Sequence, residues 1–390
     1  MKIGLVLPNI PAYSETFFRN KILGLKQNGY EVILFVNNSK LQNGFSNCKV
    51  IKAPNLSGNK LSIVVNSFFQ FLKGVFLNPK ISWELYRVNK SDGLSSAQNI
   101  KQVIANQFLL SQKLDWLHFG FGTMALGREN IAQAIGAKMA VSFRGFDYYV
   151  YPVKNLNCYS LLFSKSVKYH VLSEGMKQGL AQKGILEKNI SKITPAINLE
   201  LFNQNEKKIK NVLQIKTISR LHWIKGLDYT LDALRLLKDN GIDFHYTIIG
   251  DGAEKERLLF AVHQLELTEK VTFTGKLLPE KVKKQLEESD IYLQYSMQEG
   301  FCNAVLEAQA MGKICIVSDA EGLTENVLDG VTGFVVPKRN PISLADKIVE
   351  VYKMSEAEKY AMSQSAIARV ESEFTLSKQI EKFIAFYENH

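Results

Sequence analysis

Short apolar runs alternate with longer amphipathic stretches along this chain. Residues 3–7 predict one buried strand and residues 31–36 predict another. The stretch between them, 15–28, has helical spacing and is followed by Gly29, which favours a helix end. Further short apolar runs lie at residues 116–119, 138–143 and 168–172. Strands that alternate with helices predict a parallel sheet with helices on both faces.

The second half repeats this alternation after a polar, charged stretch at residues 201–210. Strands are predicted there at 212–218, 244–249, 270–274, 290–294 and 314–317. Helices are predicted between them at 227–239, 253–264, 279–288 and 303–311. The predicted fold class is therefore α/β, with two doubly wound, Rossmann-like domains. We place these domains at 1–205 and 206–370, and we expect the helical residues 371–390 to return to the first domain.

Composition narrows the class of protein. The 390 residues are 46% hydrophobic and 22% charged, which is typical of a globular chain. The 4 cysteines are scattered without a Cys-x-x-Cys pair, so neither a disulfide framework nor a thiolate zinc site is predicted. No apolar stretch is long enough to span a bilayer, and the apolar run before Pro8 is too short for a signal-peptide core. We expect a cytoplasmic protein.

Charge is distributed unevenly. Residues 1–200 contain 24 lysines and arginines against 10 acidic residues, whereas residues 201–390 contain 24 against 28. A basic half favours contact with an anionic surface, either membrane phospholipid or nucleic acid. The cations are dispersed rather than interleaved with aromatic residues, and no nucleic-acid-binding module is recognisable. Nucleic acid is therefore the less favoured partner.

An apolar segment at residues 61–77, flanked by Lys60 and Lys80, has two interpretations. Its phenylalanines and basic flanks fit a helix that lies in a membrane interface. An apolar helix packed inside the first domain explains the same residues. Only the first interpretation predicts that this segment contacts the membrane.

Two carboxylates near residue 300 are the most informative feature. Glu299 is predicted in a loop after a strand, where Gly300 allows close backbone approach. A helix beginning near Asn303 carries Glu307 about one turn in, so both carboxylates can face one ligand. The free N–H groups at that helix start suit a diphosphate, and carboxylates accept hydrogen bonds from sugar or ribose hydroxyls. These residues predict a nucleotide-sugar pocket.

Arg220 and Lys225 follow the strand predicted at 212–218, so both emerge at its carboxyl end. Fixed cations there stabilise the negative charge that grows on a departing nucleoside diphosphate. No Asp-x-Asp sequence occurs, so we predict that these cations replace a metal-ion clamp.

Together these motifs resemble the retaining glycosyltransferases of family 4, whose GT-B fold consists of two doubly wound domains facing across a cleft. The resemblance covers essentially the whole chain and implies that the first domain, 1–205, binds the acceptor and that the second, 206–370, binds the nucleotide-sugar donor. Glu299 and Glu307 match the family's Glu-x7-Glu motif, and Arg220 and Lys225 match its diphosphate-binding pair. Further matching segments lie at 248–252, 322–325 and 329–334.

The resemblance implies a role for each matching residue. Glu307 would hold the ribose hydroxyls, and Glu299 would contact the donor sugar near the reacting centre. Arg220 and Lys225 would hold the diphosphate. The other residues expected to contact the donor in this half are Gly250, Gly300, Phe301, Asn303 and Glu325.

Two loops in the first half resemble the subset of this family that builds bacterial exopolysaccharides, including colanic acid enzymes. They are Ser-Glu-Thr-Phe at 14–17 and His-Phe-Gly at 118–120. The resemblance implies that Ser14 and Glu15 contact the donor and that His118 is catalytic.

One motif departs from the family pattern. Many relatives carry His-Gly-x-Asp where this chain has Arg-Gly-Phe-Asp at 144–147. A guanidinium cannot act as a base, but it can hold a phosphate or sugar hydroxyls. We therefore place Arg144 among the catalytic candidates and favour an altered or acceptor-adapted site over an inactive one.

The resemblance predicts transfer of a sugar from a UDP- or GDP-linked donor to a glycan or lipid-linked glycan in cell-surface polysaccharide biosynthesis. Retention at the anomeric carbon, no resident cofactor and no metal ion are part of this prediction. A basic first domain fits peripheral contact with the anionic inner face of a membrane, where lipid-linked intermediates lie. A non-hydrolysing nucleotide-sugar 2-epimerase of the same fold is the alternative.

Overall fold

The computed structural model describes residues 1–11, 16–37, 48–56, 59–203 and 212–389, which form two compact α/β units. The first unit comprises Met1–Val171, Met176–Ile193 and Ile380–His390. The second comprises Leu172–Gly175 and Thr194–Gln379. The acceptor- and donor-binding roles expected of the two halves stay predictions.

A parallel sheet forms the centre of the first unit. Its described strands, β1 to β7, are Lys2–Leu7, Glu31–Val36, Lys49–Lys52, Trp116–Phe119, Lys138–Ser142, Val167–Val171 and Ile190–Lys192. Their order across the sheet is β3-β2-β1-β4-β5-β6-β7, so the chain starts near the middle and builds outward on both sides. β1 and β2 are almost entirely buried, as apolar strands covered on both faces must be.

Helices surround this sheet. The described ones, α1 to α10, are Thr16–Gln27, Lys60–Phe76, Pro79–Ser91, Ser96–Ala105, Gln107–Leu110, Gly122–Ala125, Ile131–Ala134, Tyr151–Lys154, Ser160–Phe163 and Glu174–Gln182. One turn of π-helix at Phe146–Val150 leads into α8. A capping box closes the start of α4, because the Ser95 hydroxyl accepts from the Gln98 backbone while the Gln98 side chain accepts from the Ser95 backbone.

The second unit contains its own parallel sheet. Its described strands, β8 to β13, are Leu213–Ile218, Phe244–Ile249, Val271–Gly275, Ile291–Gln294, Ile314–Ser318 and Phe334–Val336, in the order β10-β9-β8-β11-β12-β13. Its helices, α11 to α17, are Leu227–Asp239, Lys255–Gln264, Pro279–Glu287, Asn303–Ala310, Glu321–Asn326, Pro341–Lys353 and Glu356–Glu373. The two parallel sheets confirm the predicted α/β class.

The last helix, α18 at Leu376–Glu388, contributes its second half to the core of the first unit. Phe383, Phe386 and Tyr387 are buried there among β-strand side chains. Lys168 Nζ donates to Phe386 O at 2.7 Å and to Asn389 O at 2.6 Å, so a cation satisfies carbonyls at the helix end. Within the described residues, no helix is long and apolar enough to cross a membrane.

Candidate active site

The strand ends of the second unit are joined by loops that pack backbone against backbone. Gly226, at φ 60°, immediately precedes α11, and a Cβ there would lie 2.1 Å from Tyr295 O. Gly250, at φ 144°, follows β9, and a Cβ there would lie 1.8 Å from Ser219 O. Only glycine fits these positions. The loops after β8, β9 and β11 therefore lie side by side at the carboxyl edge of the sheet.

Lys225 and Glu299 meet at this edge. Lys225 Nζ donates to Glu299 Oε1, and the two side chains are 14% and 11% exposed. The same carboxylate oxygen accepts from Ser296 Oγ at 2.9 Å. Ser296 Oγ in turn accepts from Gln294 Nε2 at 2.9 Å. Glu299 is thus held by a charge and a hydroxyl while both members of the ion pair stay within reach of solvent.

Glu307 lies on α14, and its carboxyl group is enclosed by protein although the side chain retains some exposure. Burial raises the pKa of Glu307 to about 7. Its charge acts on Tyr292, whose hydroxyl donates to Gln294 Oε1 at 2.9 Å. Through Tyr292, Gln294 and Ser296, polar contacts extend from the neighbourhood of Glu307 to Glu299. The two carboxylates therefore belong to one region of the second unit.

Arg220 lies on the same loop as Lys225, and its side chain is exposed. Burial first, and then the charges of Arg220 and Lys225, lower the pKa of His222, which places both cations near that imidazole. The sequence placed Arg220, Lys225, Glu299 and Glu307 together, and the structure pairs Lys225 with Glu299 and keeps Arg220 on the loop that carries Lys225. Their roles in binding and catalysis stay predictions.

Helix α15 packs against the loop that carries Glu299 and holds it in place. A Cβ at Gly322 would lie 2.4 Å from Gly300 O, so the two backbones touch at this point. Asn326 Oδ1 accepts from Cys302 N at 2.9 Å, and its Nδ2 donates to Cys302 O at 3.1 Å. Asn326 is fully buried and was missed by the sequence analysis, although it directly follows the matching segment at 322–325. Its amide positions the turn that precedes α14.

Three further donor-contact candidates lie around this turn. Phe301 is buried and packs against Phe374 with ring centres 5.6 Å apart, while Asn303 is the first residue of α14. Glu325 accepts from the backbone N–H of Glu174 at 2.6 Å, at the start of α10. Phe301 therefore contributes mainly to packing, whereas Asn303 lies in the first turn of α14. Contact of these residues with a donor is untested.

In the first unit, by contrast, the histidine near a strand end is enclosed by protein. His118, within β4, is fully buried, and its Nδ1 lies 2.6 Å from Tyr387 Oη. Its Nε2 lies 2.8 Å from Ser142 Oγ, which lies 2.7 Å from His170 Nδ1. Burial and the nearby charge of Lys21 lower the pKa of His118 well below its usual value. Nothing in this arrangement supports the catalytic role expected of His118, which stays a prediction.

Arg144 lies just after β5, and its guanidinium packs over aromatic rings of α1. Its central carbon lies 4.0 Å from the ring centre of Phe17 and 4.5 Å from that of Phe18. The Arg144 backbone N–H donates to Asp147 Oδ1 at 2.8 Å. Burial raises the pKa of Asp147 to about 7. The aromatic contacts were missed by the sequence analysis; Ser14 and Glu15 lie outside the described residues.

The chain shares its architecture with solved glycosyltransferases. A glycosyltransferase from Rickettsia africae has a TM-score of 0.73 and 20% identity, with 100% of this chain and 98% of that one covered. HepE from Anabaena, in complex with UDP, has a TM-score of 0.72 and 14% identity, with both chains fully covered. The two parallel sheets and these structural neighbours show that the chain has the GT-B fold.

Sequence similarity then narrows the class. Residues 200–369 match the model for glycosyl transferases group 1. The protein named as colanic acid biosynthesis glycosyltransferase WcaL of Escherichia coli is 26% identical over 396 residues, or 96% of each chain. The amylovoran biosynthesis glycosyltransferase AmsK of Erwinia amylovora shows the same identity and coverage. Residues 200–369 therefore carry a glycosyl transferases group 1 domain, and the epimerase alternative has no support among these relatives.

Proposed function

We propose that this glycosyltransferase moves a sugar from a nucleoside-diphosphate donor to a glycan or lipid-linked glycan of a cell-surface polysaccharide. We further propose retention at the anomeric carbon without a metal ion. The observation that carries the proposal is the largely enclosed Lys225–Glu299 ion pair at the strand-end edge of the second unit. The names of WcaL and AmsK, which concern exopolysaccharide biosynthesis, support the acceptor class.

The ion pair suggests how the site responds to a donor. In the structure, Glu299 neutralises Lys225. A diphosphate carries more negative charge than one carboxylate, so it would compete for the ammonium group and release Glu299 to accept a sugar hydroxyl. As the bond to the sugar breaks, Lys225 and Arg220 would stabilise the charge that grows on the diphosphate.

The same two cations support the proposed metal independence. Among the described residues, no group of three or more His, Cys, Asp or Glu side chains is placed to hold a metal ion. Lys225 and Arg220 can supply positive charge to the leaving group directly. We expect transfer to persist in the presence of a chelator, and restoration by added Mg²⁺ or Mn²⁺ would contradict this.

Donor binding is tested first because it needs no acceptor. We expect either UDP or GDP to raise the melting temperature of the protein, since a ligand that binds only the folded state stabilises it by mass action. Lys225→Ala is expected to lose most of that shift, and Lys255→Ala, an exposed lysine on α12, serves as the matched control. No shift with any nucleoside diphosphate would contradict the proposal.

Product analysis tests the reaction itself. Incubation with a nucleotide sugar and an extracted lipid-linked glycan fraction is expected to give a product whose new linkage keeps the donor's anomeric configuration, as read from the proton coupling constant. Incubation with donor alone is expected to leave the sugar unchanged. An epimerised nucleotide sugar formed without acceptor would favour the epimerase instead.

Peripheral membrane contact is the second part of the proposal, and α2 supports it. The apolar side chains on one side of this helix are exposed: Phe68 and Phe69 are each 58% exposed and Phe76 is 75% exposed. They continue two helical stripes, Val64-Phe68-Phe71-Val75 and Val65-Phe69-Phe76, whose members are exposed throughout. The opposite side packs on the unit, where a Cβ at Gly74 would lie 2.8 Å from Gln107 Nε2. The expectation of a helix enclosed within the first domain is therefore wrong for this side of α2.

Charge favours an anionic bilayer as the surface that this side meets. No acidic residue occurs between Glu31 and Glu84, whereas Lys73 and Lys80 lie exposed near the end of α2. Aromatic residues at the acyl boundary with lysines at the headgroups are typical of an interfacial helix.

Vesicle co-sedimentation tests this contact. The protein is expected to pellet at low salt with vesicles of phosphatidylglycerol and phosphatidylethanolamine, and much less with phosphatidylcholine alone. Combined Phe68→Ser, Phe69→Ser and Phe71→Ser changes should abolish binding, whereas Phe260→Ser, at a 65% exposed position of the second unit, should not. Unchanged binding by the folded triple variant would contradict the proposal. A dimer that dissociates in the triple variant would instead show that a second copy covers α2.

A further inference from the structure

A series of three buried polar side chains leads to Glu299. Tyr292 and Gln294 lie on the same face of β11, because side chains two residues apart in a strand share a face, and Ser296 follows two residues later. All three are fully buried. A polar group in a protein core costs free energy unless it is hydrogen-bonded. The partners of these side chains therefore indicate what the series does.

The hydrogen bonds of the series all run toward Glu299. The Tyr292 hydroxyl donates to Gln294 Oε1 at 2.9 Å, and Gln294 Nε2 donates to Ser296 Oγ at 2.9 Å. Ser296 Oγ then donates to Glu299 Oε1 at 2.9 Å. We call Tyr292, Gln294 and Ser296 the β11 relay. A group that accepts one hydrogen bond becomes a better donor of the next, so the relay strengthens its last bond.

The orientation of the Gln294 amide follows from the charge that it faces. Its Nε2 lies 3.5 Å from Glu299 Oε1, which is paired with Lys225. A carboxylate only accepts hydrogen bonds, so the amide nitrogen must be on this side. With the amide reversed, two acceptors would face each other, and the single proton of Ser296 Oγ could satisfy only one of them. The amide oxygen therefore faces Tyr292.

The relay meets only one of the two carboxylate oxygens of Glu299. Within the part of the chain that the structure describes, all the hydrogen bonds to this carboxylate go to Oε1, from Lys225, Ser296 and Gln294. The side chain keeps 11% of its surface exposed. Oε1 is thus the anchored oxygen, and Oε2 remains to accept a hydrogen bond from a ligand.

The anchor on Oε1 has a charged part and a neutral part. If a diphosphate takes the Lys225 ammonium group, as proposed above, Ser296 and Gln294 are the donors to Oε1 that remain among the described residues. A serine hydroxyl can rotate, and its proton is directed to Glu299 because its oxygen accepts from Gln294. Gln294 therefore fixes the neutral part of the anchor.

The backbone around Ser296 is held independently of the relay. Ser318 Oγ donates to Ser296 O at 2.5 Å, and Met297 N donates to Ile224 O at 2.7 Å. Loss of the Gln294 amide would therefore leave the loop in place and change mainly the Ser296 hydroxyl and the carboxylate that it meets.

We propose that Gln294 is a positioning residue for sugar transfer: through Ser296 it holds Oε1 of Glu299, so that Oε2 meets the donor sugar. This inference rests on the proposed function. It adds to the site a residue that the donor motifs do not include, and it assigns different tasks to the two oxygens of Glu299.

Kinetics of Gln294→Met test this role, because methionine has a similar shape but cannot take the place of the amide in the relay. We expect kcat to fall about 10- to 100-fold, as for a reacting group that is misplaced by a fraction of an ångström. The KM for the donor and the rise in melting temperature with UDP or GDP should stay unchanged, because Lys225 and Arg220 remain.

Gln214→Met is the matched control. Gln214 is 7% exposed, lies on β8 of the same sheet and donates to Val212 O at 3.0 Å. Its loss should lower the melting temperature to a similar extent and leave kcat normal. An equal fall of kcat in both variants would mean that Gln294 acts through stability alone.

A double-mutant cycle tests whether Gln294 acts through Ser296. Ser296→Ala should lower kcat at least as much as Gln294→Met does, and the double variant should lose no more than Ser296→Ala alone. Effects that multiply would show that the two residues act independently and would overturn the inference. If Gln294→Met fails to fold, Tyr292→Phe frees the amide to turn and should lower kcat in the same direction.

A crystal structure of Gln294→Met gives a readout that needs no turnover. The Glu299 carboxylate is expected to move by about 1 Å or to lose its single position, whereas Ser296 N and O stay in place. An unmoved Glu299, or a folded Gln294→Met with kcat within about twofold of the wild type, would overturn the inference. Failure of the proposed function is seen separately, as no change in the melting temperature of the wild-type protein with UDP or GDP, and the crystal structure would still test the anchor.

Discussion

The two units differ in the burial of polar residues at their strand ends. In the first unit, His118 is sealed in the core and bonded through both ring nitrogens to Tyr387 and Ser142. In the second unit, Lys225 and Glu299 pair at the edge and keep 14% and 11% of their side-chain surface exposed. The difference shows that a strand-end position is not sufficient for a ligand site. Access from solvent determines whether a strand-end residue can bind a ligand, and helix α18 removes that access for His118.

The largest effect that we expect concerns the packing of α18. Phe383 is fully buried, with its ring centre 5.1 Å from that of His170 and 4.0 Å from Lys21 Nζ. Phe383→Ala should lower the free energy of unfolding by about 3–5 kcal/mol, the range for truncating a core phenylalanine. Urea denaturation followed by circular dichroism measures it. Phe260→Ala, at an exposed site, should change it by less than about 0.5 kcal/mol. Equal effects of the two changes would mean that α18 does not seal the core.

The second prediction concerns the accessible edge. Lys225→Ala should lower kcat/KM by an amount equivalent to about 2–4 kcal/mol of transition-state stabilisation, if this preorganised charge meets the departing diphosphate as proposed. The free energy of unfolding should change little, since removing the lysine leaves Glu299 its hydrogen bond from Ser296 and access to water. Near-normal turnover in steady-state kinetics would show that Lys225, at the accessible edge of the second unit, does not contribute to transfer.

The third prediction tests whether His118 is a structural or a catalytic residue. If His118 is structural, His118→Asn should lower the free energy of unfolding by about 1–3 kcal/mol, because buried partners on both sides lose their hydrogen bonds. The kcat/KM of the folded variant should then remain close to normal. A loss of about 100-fold or more in kcat/KM with unchanged stability is what a general acid or base would give. That result would support the catalytic role inferred from the resemblance.

The smallest effect concerns the pH dependence of donor binding. Burial raises the pKa of Glu307 to about 7, so this carboxyl group is mostly protonated below that pH. An ionised carboxylate is the better acceptor for ribose hydroxyls, so binding of UDP should strengthen as pH rises through 7, by at most about tenfold per pH unit. The diphosphate also titrates, and calorimetric comparison with Glu307→Gln isolates the contribution of the protein. Identical pH profiles would show that Glu307 does not change its ionisation on binding.

Much of the fold could be predicted from the sequence. The strands of the second half begin and end within two residues of the predicted positions, as for β9 at Phe244–Ile249. β13 was missed because Phe334–Val336 is only three residues long. The helices between residues 79 and 110 were not assigned either, since their apolar positions are fewer and their ends are marked by caps such as Ser95.

The candidate sites were predictable to different degrees. Glu299 and Lys225 lie close to the ends of apolar runs, so parallel topology brings them to one edge. Asn326 gave no such signal, since a buried amide is recognised only by the groups to which it is hydrogen-bonded.

The sequence by itself determined the alternation of strands and helices, the two parallel sheets and the strand-end positions of the charged motifs. These depend on local periodicity and on turn residues, which the order of amino acids fixes directly. Only the tertiary structure decided that His118 is enclosed, that the apolar side of α2 is uncovered and that Asn326 holds the turn before α14. Burial depends on which remote segment covers a residue, and periodicity along the chain carries no record of that neighbour.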